Sequence, residues 1–472
     1  MRVGLGTPTK ANPGSGLGNV ISAMSTESWL TSQVNGRQTD RIASAWSWDE
    51  PRTTLRLTLR KDVFFHDGTP LTPELGVQAF KESMAEPNAP SSFSSVRSIQ
   101  VSGDNTIDIT LAGPNSFFLP DLAGTSLKKP GLKPTATPIG TGPFRIVRAD
   151  KQQATLQAFD RYYRGHPAVA TMEVTNYPTQ RNAWAALMRG EVDMLYEVGR
   201  DAADFVAAES TVRTYSSPRP YYNVLAFNVR HPVLKHAEVR RALNEALDRP
   251  TLIRDGLKGK GRPADGPLVP ENWAYSPPSR PFDFNPPAAR ARLEQAGLRM
   301  KSGAGGRMPS RFAFTCIVYG DDSRFERLAV LVQKQLADVG VEMRLLPLPL
   351  DQFVARLKSG DFDAFLLELN GRSLGWVYEF WRSHARGLLN TGYRSADAVL
   401  DRIKAAGSDE EIRQGVAELG RILTEDPPAA FLAWQQTSRA VSTKFDVGSE
   451  TAGDIVGNTW KWRPAGTQQA AR

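Results

Sequence analysis

Arg311-Phe-Ala-Phe-Thr-Cys-Ile-Val-Tyr319 is a short apolar, aromatic and β-branched run that stops at Gly320, and it reads as a buried strand. From Ser323 to Asp338 the period changes. Phe325, Leu328, Ala329, Val332 and Leu336 recur at three- and four-residue steps, the stripe of an amphipathic helix ended by Gly340. Val341 to Leu346 forms a second strand, with Pro347 and Pro349 at its exit. Asp351 is placed to cap a helix with Phe353, Val354 and Leu357 on one face and Gly360 at its stop. Asp363-Ala-Phe-Leu-Leu-Glu-Leu369 is the third strand and empties into the polar loop Asn370-Gly-Arg-Ser. Strand, helix, strand, helix, strand with short joints predicts parallel pairing through right-handed crossovers.

Open sheets of this kind bind ligands beyond the carboxyl ends of their strands. That rule puts Tyr319, Asp321, Asn370, Arg372 and Trp376 along one rim. A second parallel unit is expected further back: strand Thr171–Tyr177, helix Thr179–Arg189 and strand Val192–Tyr196, with Tyr177 and Glu197 on its rim.

With 472 residues, 40% hydrophobic and 23% charged, the chain is a globular protein of two or three domains. Its apolar runs are too short to cross a bilayer. Met1-Arg2-Val-Gly-Leu-Gly starts directly on a strand, without a charged leader, apolar core or cleavage site. The chain is therefore expected to be cytoplasmic or to have lost a signal peptide. Cys316 is the single cysteine and sits mid-strand, so no internal disulfide forms, and the five scattered histidines give no metal spacing. The net charge of +8 is carried by arginines dispersed along the chain. No basic block or nucleic-acid module is present, so no nucleic acid is expected as a partner.

In the first half, Leu55, Leu57 and Leu59 alternate with Arg56, Thr58 and Arg60, as in a half-exposed antiparallel sheet. Asp67-Gly68 is a turn, and Thr72 and Pro73 open a helix. His66 beside Asp67 lacks a nearby nucleophile and belongs to that turn. The glycines at 14, 16 and 18 match no phosphate-binding spacing. Tyr221–Val229 is a long strand, Ala430–Trp434 a short one and Val441–Val447 a return crossing.

Phe65-His-Asp-Gly-Thr-Pro-Leu-Thr-Pro-Glu74, Pro138-Ile-Gly-Thr-Gly-Pro-Phe144, Gly190-Glu-Val-Asp193, Leu225-Ala-Phe-Asn228, Val239-Arg-Arg-Ala-Leu-Asn-Glu-Ala-Leu-Asp-Arg249 and Gly360-Asp-Phe-Asp363 follow one another along the chain. Together they resemble the family 5 extracellular solute-binding proteins, the peptide- and nickel-binding components of ABC importers. The resemblance implies an α/β, two-lobed periplasmic-binding-protein type II fold with an extra subdomain in the first lobe. Lobe I would comprise residues 1–35 and 145–228, the additional subdomain 36–144, lobe II 229–440, and the return with a disordered tail 441–472. The candidate hinges are the crossings near 225–230 and 438–442. The implied function is a periplasmic, monomeric, non-catalytic receptor without cofactor, which closes on a peptide-like or other small solute and delivers it to an inner-membrane ABC permease. Nickel-chelate, opine and oligosaccharide binders stand as alternatives within the family, and an enzyme or ligand-sensing regulator as alternatives outside it.

Peptide-binding members of the family hold the peptide amine with an aspartate shortly after the Gly-Asp-Phe-Asp strand. Here Arg372 stands at or near that position. An arginine repels an ammonium and attracts a carboxylate or phosphate. The expected ligand therefore carries an anionic group near Arg372 and stacks on Trp376 or Tyr378. Trp434 is a further lining candidate with a core alternative. No metal is expected; His384 lies where a nickel-chelate binder of the family supplies an imidazole, but a lone histidine between Arg382 and Arg386 reads more readily as solvent-facing.

Overall fold

The structure is a computed structural model that describes residues 1–6, 16–133, 137–199, 202–277, 282–302, 309–320, 323–383, 388–448 and 454–467. The chain divides into two units. The first contains the N-terminal strand, the chain up to Ser217 and the chain from Thr437 onward; the second is Pro218–Gln436.

The second unit contains the expected strand–helix series. Strand Phe312–Tyr319 lies between Val341–Leu348 and Ala364–Asn370 and is parallel to both. Helices Ser323–Ala337 and Leu350–Ser359 make the two crossovers. Phe325, Leu328, Ala329, Val332 and Leu336 are all buried, as their spacing requires. Cys316 is fully buried, and desolvation pushes its thiol pKa up. One detail differs. The cap of the second helix is Pro349, which leaves Asp351 inside the first turn, where its charge still complements the helix dipole. Pro347 lies within the last strand of this order, an edge position that needs no donor from it.

The first unit has the same logic around a different strand. Arg2–Gly6 is parallel to Thr171–Tyr177 on one side and Met194–Leu195 on the other, with helix Gln180–Met188 between those two in sequence. An antiparallel four-stranded sheet in the order Ala43–Trp48, Thr54–Leu59, Thr106–Leu111, Val96–Gly103 makes up the expected subdomain region. Leu55, Leu57 and Leu59 point into a core with Phe80, Phe93 and Phe118, while Arg56 faces solvent. Each such buried side chain is worth about 2 kcal/mol. Helix Pro73–Met84 begins as read: the Thr72 hydroxyl accepts from Leu75 N at 3.3 Å. His66 is held in its turn by Gly142 O at 2.9 Å.

Two long strands differ from expectation. Val212–Phe227 begins well before Tyr221, and Ala429–Ser442 is continuous where a short strand, Ala430–Trp434, and a separate return crossing from Val441 were expected. These are the strands on which the chain passes from one unit to the other, at 217–218 and 436–437. Near the C-terminus, Arg463–Pro464 pairs with Phe445–Asp446; residues 468–472 lie outside the described residues.

Candidate functional site

In the second unit, strand Ala364–Asn370 runs straight into helix Leu374–Trp381. The helix is unforeseen in the sequence reading, although Ser373 is a sound N-cap; its Oγ accepts from Trp376 N at 3.4 Å. Between strand and helix the loop is fixed from three sides. Gly371 N donates to Pro220 O at 2.9 Å, Val269 N donates to Gly371 O at 3.2 Å, and Asn370 Oδ1 accepts from Arg372 N at 2.9 Å. A Cβ on Gly371 would sit 2.3 Å from Pro267 O and 2.4 Å from Trp434 Cη2, so only glycine allows this approach.

This local frame leaves Arg372 exposed. No carboxylate among the described residues pairs with it. One turn on, Trp376 is 37% exposed and stacks on Phe380 at 5.5 Å with an interplanar angle of 23°. A fixed loop thus presents an unpaired guanidinium next to an aromatic platform, a combination suited to an anionic group attached to a flat or apolar body.

The other expected site residues are placed as follows. Tyr378 is buried, its hydroxyl donating to Asp401 Oδ1 at 3.0 Å, with Lys404 over its ring. Burial, then Asp401, pushes its pKa up to about 12. Trp434 is buried, edge-on to Tyr222 at 5.0 Å and against Gly371, and its Nε1 has no hydrogen-bond partner among the described residues. Tyr319 is buried and packs edge-on to Phe325 at 6.4 Å. Glu197 belongs to the first unit, half-buried near Arg439. Asp321 and His384 lie outside the described residues. Asn370, Arg372, Trp376 and, through Gly371, Trp434 are therefore the residues brought together.

Sequence reading misses a polar network immediately behind this loop. Arg219 pairs with Glu368 at 2.9 Å, Gln435 donates to Glu368 and to Asn223 Oδ1 (3.1 Å), and the Arg219 guanidinium lies 4.3 Å from the centre of the Tyr221 ring. The available signal is alternation. Arg219, Tyr221 and Asn223 share one face of their strand, as do Glu368 and Asn370 on the neighbouring one.

In the first unit, the Pro138–Phe144 phrase has a steric basis. A Cβ at Gly140 would lie 2.1 Å from Ser25 O, and Gly142 N donates to the same oxygen at 3.0 Å. The buried hydroxyls of Ser25 and Thr141 have no partner among the described residues. Close by in sequence, Glu27 is fully buried and its Oε1 accepts from Arg41 (2.8 Å), Tyr162 (2.8 Å) and Tyr163 (3.3 Å). Among the described residues no cluster of three or more His, Cys, Asp or Glu side chains could hold a metal.

Comparison with known proteins places this architecture. NikA from Brucella suis, solved with Fe(III)-EDTA, superposes with a TM-score of 0.85 at 20% identity, covering 98% of this chain and 100% of that one. The oligopeptide-binding protein AppA of Bacillus subtilis is 24% identical over 418 residues, 82% of this chain and 76% of that protein. Its structure with a nonapeptide gives a TM-score of 0.78 over 98% of both chains. The glutathione-binding protein GsiB of Escherichia coli is 23% identical over 334 residues, 67% of this chain; the match spans 62% of that protein's length. The fold is thus the mixed α/β, two-lobed fold of the periplasmic binding proteins. Residues 38–384 match the bacterial extracellular solute-binding proteins, family 5, middle region, and the chain belongs to that family. It is a solute-binding protein, of a family that works in the periplasm or outside the cell.

Proposed function

We propose that the protein is the receptor of an ABC importer for a small solute that carries an anionic group, with Arg372 as the anchor for that group and Trp376 as its stacking surface. The observation that carries this reading is the unpaired, exposed Arg372 on a loop held by Pro220, Val269 and Asn370. Preorganisation of that kind spares the ordering cost of binding. Trp434 and Asn370 support the loop. Capture is completed by hinge bending at the two crossings between the units, and the loaded receptor, a monomer in the periplasm, docks on its permease. The relatives bind a peptide, glutathione and a metal–EDTA complex. Anion recognition here favours the acidic or chelate end of that range over a peptide held by its free amine.

The test is native mass spectrometry of protein purified without refolding, followed by identification of the released solute. A retained solute bearing a carboxylate, phosphate or comparable anion is the expected outcome. A purely cationic solute would contradict the reading.

A further inference from the structure

A cavity of about 400 Å³ lies within the second unit, apart from the loop at 370–376 in sequence and lining. At its wall is Arg249, only 8% exposed. Its guanidinium is unevenly satisfied. Nε donates to Phe431 O at 2.6 Å and Nη2 to Asn244 Oδ1 at 2.8 Å, whereas Nη1 reaches only Asn244 O at 3.3 Å and Phe282 O at 3.5 Å. A charge-assisted bond to a carboxylate is much shorter, about 2.7–2.9 Å. No carboxylate among the described residues forms an ion pair with Arg249. Phe282 is itself a wall of the cavity, so the poorly bonded Nη1 is the nitrogen on that side. Burial pushes the Arg249 pKa down to about 10, and the charge of Asp265 offsets only part of that.

The mouth has the opposite character. Asp265 and Asp283 line it and are exposed, and Phe284 beside them is 50% exposed. The third aspartate, Asp248, is engaged by Thr251 N and Oγ1, and Asp265 accepts from Tyr275. Asp283 has no ion-pair partner among the described residues. A cation at the floor, carboxylates at the rim and an aromatic ring at the rim describe a host for a guest with its anion inward and its cation outward.

We propose that this cavity is a second binding site, taking an amino-acid-type zwitterion whose carboxylate meets Arg249 Nη1 and whose cationic end lies between Asp283 and Phe284. The site does not depend on Arg372 or on the identity of the transported solute.

The test is calorimetric titration of the full chain with L-lysine at millimolar concentration, with cadaverine and hexanoate as probes lacking the carboxylate and the cations. Because Arg249 variants are at risk of misfolding, the rim carries the mutational test. Saturable L-lysine binding is expected, weakened roughly tenfold by Phe284→Ala or Asp283→Asn and unchanged in Arg372→Ala, with both control probes far weaker. Absence of saturable binding, cadaverine binding as tightly as lysine, or indifference to both rim substitutions would each overturn the proposal.

Discussion

Each unit buries a glutamate in a polar network, and the two networks end differently. Glu27, in the first unit, has a side chain with no exposure, and its partners are a half-buried arginine and two tyrosines. Of the tyrosines, Tyr162 is buried and Tyr163 half-buried. Burial raises both phenol pKa values, and Tyr162 packs toward Trp460 at 6.3 Å. Glu368, in the second unit, is 11% exposed and sits on a strand that leads within a few residues to an unpaired arginine. The first network is enclosed, with Glu27 Oε2 left without a hydrogen-bond partner among the described residues, and it fixes a fold. The second is continuous with a surface that has a charge left over, and that surplus is what a ligand can use.

The contrast can be broken most easily by removing the two carboxylates. Glu27→Ala leaves the half-buried Arg41 without its carboxylate and should lower the unfolding free energy in urea by about 3–5 kcal/mol. Glu368→Ala leaves an arginine about as enclosed as Arg41, but one that retains Gln435 and the Tyr221 ring, and should cost about 1–3 kcal/mol. Equal losses would show that the two networks are not different in kind.

Gly371→Ala sharpens the comparison from the loop side. The added methyl has no room against Pro267 O and Trp434. Overpacking of about 1–3 kcal/mol is expected in thermal unfolding, together with weaker solute binding, because Arg372 is carried on the same loop. Unchanged stability and affinity would mean that the loop is not held as described.

The smallest effect expected is a pH dependence confined to the first unit. Burial lowers the pKa of His66 from its ordinary 6.5. The unfolded chain therefore takes up a proton at this site before the folded one does. The stability it contributes is complete above about pH 6.5 and declines as the pH falls below that value. His66→Gln should flatten unfolding free energy against pH over that window; an unaltered slope would exclude the ring as its source.

Much of this was legible in the chain. Leu55, Leu57 and Leu59 declare their sheet by alternation, and Phe325 to Leu336 declare their helix by period, because one buried face is enough to set each pattern. The crossing strands were only partly legible. Pro218 and Pro220 interrupt one, and the run Gln435-Gln-Thr-Ser-Arg439 disguises the other. Both are strands nonetheless, since their polar side chains find partners: Ser216 with Ser438, Gln435 with Asn223 and Arg439 with Asp454. Local propensity cannot show satisfaction that arrives from more than two hundred residues away, as it does for the first two pairs. Arg372 stood out because its charge opposes the family's usual aspartate. The Trp376–Phe380 stack needed the helix capped by Ser373, which a loop reading at Asn370-Gly-Arg-Ser concealed. Trp434 was ambiguous by type, an aromatic that suits both core and cleft, and its contact with Gly371 supplies the link to the loop.

The central claim is that Arg372 selects an anionic group, and one thermodynamic cycle addresses it directly. The solute identified from the native protein and an analogue with its anionic group converted to a neutral amide would be titrated into wild type and Arg372→Ala. The account predicts that wild type prefers the anion by about 1.5–3 kcal/mol and that the substitution abolishes the preference while leaving thermal stability unaltered. A preference that survives in Arg372→Ala would contradict it.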